Sequence, residues 1–79
     1  MPEHILIVDD EKNILQTLSP ILQDEGYEVS TAANGTDALR LVREDAPLVV
    51  LLDIWLPDID GIEVLKKIKE QQPEVIVIM

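Results

Sequence analysis

An α/β fold built on an open parallel sheet, with helices on both faces, is what this sequence predicts, and three observations predict it. Short apolar runs at residues 5–8, 48–52 and 75–79 are hydrophobic on both faces, as strands covered from both sides must be. Segments with the helical spacing of apolar residues lie between them, and this alternation is the pattern of βαβ units. The runs at 5–8 and 48–52 also stop at aspartate, Asp9-Asp10 after the one and Asp53 after the other.

The first run, Ile5-Leu6-Ile7-Val8, has the β-branched, two-sided hydrophobicity of a buried strand. From about residue 11 to residue 24, Ile14, Leu15, Leu18, Ile21 and Leu22 form one apolar stripe at helical spacing, ended by Gly26. Pro20 falls inside that stretch. It has no N–H to give the Gln16 carbonyl and disfavours a helical Ser19, at about 3 kcal/mol in a regular helix, so a kink near Gln16 is expected. Residues 27–31 alternate in character, which fits a strand with one wetter face at a sheet edge. Asn34-Gly35 reads as a turn, and Thr36 as the cap of a second helix with Ala38, Leu39, Leu41 and Val42 as its apolar members and Pro47 at its exit.

Leu48-Val49-Val50-Leu51-Leu52 is a central strand by the same reasoning as the first. After a loop, Asp60 and Glu63 have capping-box spacing and open a third helix. Its inward members are Ile62, Leu65 and Ile68, with Lys66, Lys67 and Lys69 on a solvated outer face and Pro73 closing it. Val75-Ile76-Val77-Ile78-Met79 is a further run of the buried-strand kind. The whole, residues 1–79, reads as a single domain cut at its C-terminal side, whose unpaired last strand invites homo-oligomers.

Composition narrows the function. At 79 residues the chain buries roughly 60% of the surface its unfolded form exposes, so its stability margin is thin. No cysteine is present to supply a disulfide or a thiolate site. A net charge of −10, from 16 acidic against 6 basic residues, argues against unaided binding to nucleic acid and for a cation or a basic partner. Neither a basic leader nor an apolar run of bilayer length occurs, so the expectation is a cytoplasmic protein without membrane attachment.

Ligands of open parallel sheets bind at the C-terminal rim of the strands, where Asp9, Asp10 and Asp53 all fall. If the first and third strands are neighbours, three like charges converge there and call for a hard divalent cation such as Mg²⁺. An aspartate beside such a metal can also act as a nucleophile toward phosphorus. Taken singly, Asp9 and Asp10 read as helix caps and Asp53 as the start of a turn before Pro57. The three together, with a Pro-Asp-x-Asp-Gly loop directly behind Asp53, point to a phosphoryl-accepting metal site. His4 reads as a surface residue, and Trp55 as loop packing or as a gate on water access to Asp53.

The segments ILIVDDEKN and LLDIWLPDIDGIEVLKKIK resemble the receiver domains of two-component response regulators, and the resemblance runs in register along the whole chain. It implies a flavodoxin-like fold with strands ordered 2-1-3-4-5 in complete members, of which this chain reaches 2-1-3-4. It further implies Asp53 as phosphoacceptor, Asp10 and Asp53 as direct Mg²⁺ ligands, Asp9 as a ligand mostly through water, and the Trp55 backbone carbonyl as another. Pro57 and Gly61 would shape the loop. The implied role is phosphorelay signalling rather than enzymatic turnover, with a sensor histidine kinase as donor. The Thr or Ser and the Lys that the family carries after its fourth and fifth strands have no counterpart in these residues. Two other functions compete. An Mg²⁺-dependent phosphohydrolase would place a second Asp where Trp55 stands. An interaction module working through the fourth strand would be indifferent to Asp53.

Overall fold

The structure, a computed structural model, describes residues 2–79; Met1, the first residue of the expected domain, lies outside them. Strands and helices alternate as β1 (His4–Val8), α1 (Lys12–Asp24), β2 (Glu28–Ala32), α2 (Gly35–Asp45), β3 (Val49–Leu52), α3 (Gly61–Gln71) and β4 (Ile76–Ile78). All strand pairs are parallel and the sheet order is β2-β1-β3-β4, which is the expected order, with the half-wet β2 at one edge.

Strand alternation divides the apolar side chains between two faces. Leu6 and Val8 of β1 and Val50 and Leu52 of β3 join Ala38 and Val42 of α2 and Val64 and Ile68 of α3 in one buried core. Ile5 and Ile7, also buried, therefore point to the opposite face, where α1 packs on β1 and β2. No polar or charged residue among the described residues is buried as a whole, so the core owes its cohesion to apolar contact.

Several local expectations are corrected, though the span of helix α1 across Pro20 is not among them; the helix leaves the Ser19 hydroxyl beside that proline buried and, among the described residues, without a hydrogen-bond partner. Its apolar stripe is not fully covered: no residue of α1 is buried, and Ile21 is 54% exposed. Asn34-Gly35 is the start of α2 rather than a separate turn, with Asn34 as the cap, its side chain accepting from the Asp37 N–H at 2.8 Å. In α3 the inward residues are Gly61, Val64 and Ile68, while Ile62 faces out. Lys69 does more than solvate a surface, since its ammonium donates to the carbonyls of Pro73 and Val75, both at 2.8 Å, and so closes the α3–β4 connection.

His4 is likewise no bystander. Its Nε2 lies 2.6 Å from Ser30 Oγ, which in turn donates to Asp45 Oδ2 at 2.8 Å, tying β1, β2 and the end of α2 together at the N-terminal end of the sheet. At the far edge, β4 pairs with β3 on one side, and its Ile76 and Ile78 are both more than half exposed. No helix among the described residues is long and apolar enough to cross a membrane.

Candidate functional site

The register of the central strands builds the site. Val8 lies beside Leu52, so the residues that follow, Asp9 and Asp53, leave the sheet side by side. Two hydrogen bonds carry the pairing one step past the strands: the Asp53 N–H donates to the Val8 carbonyl at 2.9 Å and the Asp9 N–H to the Ala32 carbonyl at 3.0 Å. Asp10 follows directly. Carboxylate oxygens of Asp9, Asp10 and Asp53 all lie within 4.8 Å of one another, with Asp10 exposed and the other two half-buried.

The local capping roles and the convergence coexist. Asp9 Oδ1 accepts from the Glu11 N–H at 2.9 Å, and Asp53 Oδ1 accepts from the Trp55 N–H at 3.2 Å. Each turn engages one carboxylate oxygen and orients the other. No ion pair among the described residues involves these three aspartates, so their mutual repulsion is not relieved by a lysine or arginine. A set made only of carboxylate oxygens at this spacing suits a hard divalent cation and is a poor match for metals that prefer thiolate or imidazole.

The Trp55 side chain is 82% exposed, which corrects the packing role. Behind it the loop is held firmly. The Gly61 N–H donates to the Ile54 carbonyl at 3.2 Å, and a Cβ on Gly61 would stand 2.7 Å from Ile54 Cα, so only glycine permits this approach. Pro57 is exposed at the outer bend.

One residue of the loop escapes sequence reasoning. Asp58 reaches across to the start of α2, where its carboxylate accepts from the Gly35 N–H at 2.8 Å, the Thr36 N–H at 3.0 Å and the Thr36 hydroxyl at 2.8 Å. The bond from the Gly35 N–H, followed by those from Thr36, holds the Asp58 pKa at about 2 against an ordinary 3.8. The only signal in the sequence is the Pro57-Asp58 pair. The partners stand 22 and 23 residues away, and no local pattern names them.

Comparison with known proteins follows the same lines. Residues 5–79 match the sequence model of the response regulator receiver domain. The chain is 48% identical over 69 residues to sporulation initiation phosphotransferase F of Bacillus subtilis, covering 87% of this chain and 56% of that protein. Among solved structures, a CheY-like response regulator receiver domain protein from Methanospirillum hungatei superposes with a TM-score of 0.95 at 38% identity, over 98% of this chain and 62% of the other. The response regulator protein TrrA, crystallised in complex with the histidine kinase ThkA, gives a match of TM-score 0.87 at 41% identity, over 95% of this chain and 65% of the matched one. Across seven curated relatives, the chain spans from 15% to 56% of their length.

Proposed function

The chain belongs to the response regulator receiver family of two-component systems, and from that membership we propose that Asp53 accepts a phosphoryl group from a sensor histidine kinase, with Mg²⁺ held at Asp9, Asp10, Asp53 and the Trp55 carbonyl. The observation that most supports this reading is the convergence of three carboxylates within 4.8 Å at the ends of adjacent parallel strands. Residues 1–79 belong to a single receiver domain of which they are a part, working in the cytoplasm.

Because the Trp55 N–H engages Asp53 Oδ1, Oδ2 is the oxygen free to attack phosphorus. A bond forms from Oδ2 to phosphorus as the P–N bond of a phosphohistidine breaks, and the departing imidazole keeps the bonding pair and takes a proton. Mg²⁺, when bound, offsets the negative charge on the transferred oxygens. Asp9 and Asp10 contribute by binding that cation and by being held in place through the turn at Glu11. The complex of TrrA with ThkA supports a kinase as donor. A phosphohydrolase is disfavoured, since the residue two past Asp53 is Trp55, which cannot serve as a general acid.

A second reading stands beside the first. The exposed Ile76 and Ile78 on an edge strand favour association of the chain with a second copy through β4.

The phosphoacceptor reading is tested with Trp55 as reporter, because its indole is solvent-exposed two residues from Asp53. Mg²⁺ is titrated first, acetyl phosphate is added next, and the products are resolved by intact mass. The expected result is a fluorescence change with Mg²⁺, then a phosphate adduct that Asp53→Asn does not form. An adduct retained in Asp53→Asn, or none in the unsubstituted chain at saturating Mg²⁺, would overturn it.

A further inference from the structure

The loop that carries the Trp55 carbonyl is anchored at both ends by backbone and in its middle by one side chain. At the ends, the Asp53 N–H binds the Val8 carbonyl and the Gly61 N–H binds the Ile54 carbonyl. In the middle, Asp58 accepts three hydrogen bonds from Gly35 and Thr36 at the first turn of α2. Apolar contact reinforces this joint, for a Cβ on Gly35 would lie 3.0 Å from Ile59 Cβ and 2.9 Å from Val64 Cγ2, so the turn sits hard against the loop and α3. Asp58 itself is exposed, while the Gly35 N–H that it accepts belongs to a buried residue, so its bonds both partner a donor at a helix start and span two elements. What they fix is a position: the distance between the acidic rim and the start of α2.

We infer that Asp58 is a positioning residue for the cation site, holding the segment from Asp53 to Asp60 against α2 so that Trp55 presents its carbonyl to the ion held by the three aspartates. This inference rests on the proposed Mg²⁺ site and adds a residue to its supporting shell. It also makes the start of α2 responsive to the site, because a loop drawn toward the cation pulls on the carboxylate that Gly35 and Thr36 hold. Partners that orient metal ligands from outside are worth roughly 10-fold or more in affinity.

The experiment measures the Mg²⁺ dissociation constant from Trp55 fluorescence in the unsubstituted chain and in Asp58→Ala, Asp58→Asn and Thr36→Val, with urea unfolding recorded for each. Asp58→Ala should bind Mg²⁺ about 10-fold more weakly. Asp58→Asn, whose single amide oxygen can accept from Gly35 or from Thr36 but not from both, should recover part of that loss, and Mg²⁺ should shift the Gly35 and Thr36 amide resonances in the unsubstituted chain but not in Asp58→Ala. Equal affinity in Asp58→Ala and the unsubstituted chain would overturn the inference and leave the Mg²⁺ site standing. Should Asp58→Ala not fold, Thr36→Val decides, with weaker Mg²⁺ binding in support and unchanged binding against. If the unsubstituted chain ignores Mg²⁺, the site itself is absent and the inference falls with it.

Discussion

Asp58 and the three rim aspartates show how neighbours give the same side chain different work. Asp58 meets N–H and O–H donors at a helix start, so its ionised form is favoured; Asp9, Asp10 and Asp53 meet chiefly one another. A carboxyl whose folded-state pKa lies at about 2, below its unfolded 3.8, contributes stability that is present above about pH 4 and lost as the pH falls through about 2. Asp58→Asn removes the titration together with the acceptor at one of the two oxygens. Urea midpoints should therefore favour the unsubstituted chain near neutral pH, with the gap narrowing as the pH drops from about 4 to about 2. A gap that stays constant across that window would show that folding does not lower the Asp58 pKa. The rim aspartates were legible in the sequence because each ends or follows an apolar run. Asp58 was not, because its role exists only once β3 and α2 have been brought together.

At the scale of the element, hydrophobic pattern located every strand and helix but left some faces undetermined. In α3, Ile62, Leu65 and Ile68 form one stripe and Gly61, Val64, Leu65 and Ile68 another, and the two share Leu65 and Ile68. Residue size favours the first; packing selects the second, because Gly61 is the only residue able to approach the Ile54 backbone. Gly61→Ala should therefore cost about 1–3 kcal/mol, since the obstacle is backbone. Gly35→Ala should cost less, since two of its three nearest atoms, Val64 Cγ2 and Ile59 Cδ1, can rotate away, only Ile59 Cβ being fixed to its backbone, and alanine is the better helix former. Comparable losses for the two would refute this reading of the α3 register. The same distinction separates Ile68 from Ile21, which the sequence places on equivalent inward stripes. Ile68 is fully buried, and Ile68→Ala should cost about 2–5 kcal/mol in chemical denaturation. Ile21 is 54% exposed, and Ile21→Ala should change stability by no more than about 0.5 kcal/mol. Periodicity recorded that α1 has an apolar stripe, but how much of it the sheet covers depends on where α1 lies, over β1 and β2 rather than over β4.

At the scale of the whole molecule, an acidic surface and an apolar edge act against each other. Each copy carries a net charge of −10, which keeps copies apart, while β4 offers unpaired backbone groups and the exposed Ile76 and Ile78 for strand addition. The pairing that satisfies both copies equally is antiparallel β4 to β4 about a two-fold axis. A three-residue strand makes a small interface, so the association should be weak and depend on concentration. Its salt dependence follows from the signs: added salt screens the repulsion between two acidic copies and leaves apolar contact intact, so sedimentation should show tighter association at higher ionic strength. Replacing Ile76 and Ile78 with lysine lowers the net negative charge and would by repulsion alone strengthen association. Loss of the dimer in that double variant would therefore identify the β4 edge as the contact, because it runs against the electrostatic trend. A dimer that persists in the variant, or one that dissociates as salt is added to the unsubstituted chain, would place the contact elsewhere and make ion pairing its cause.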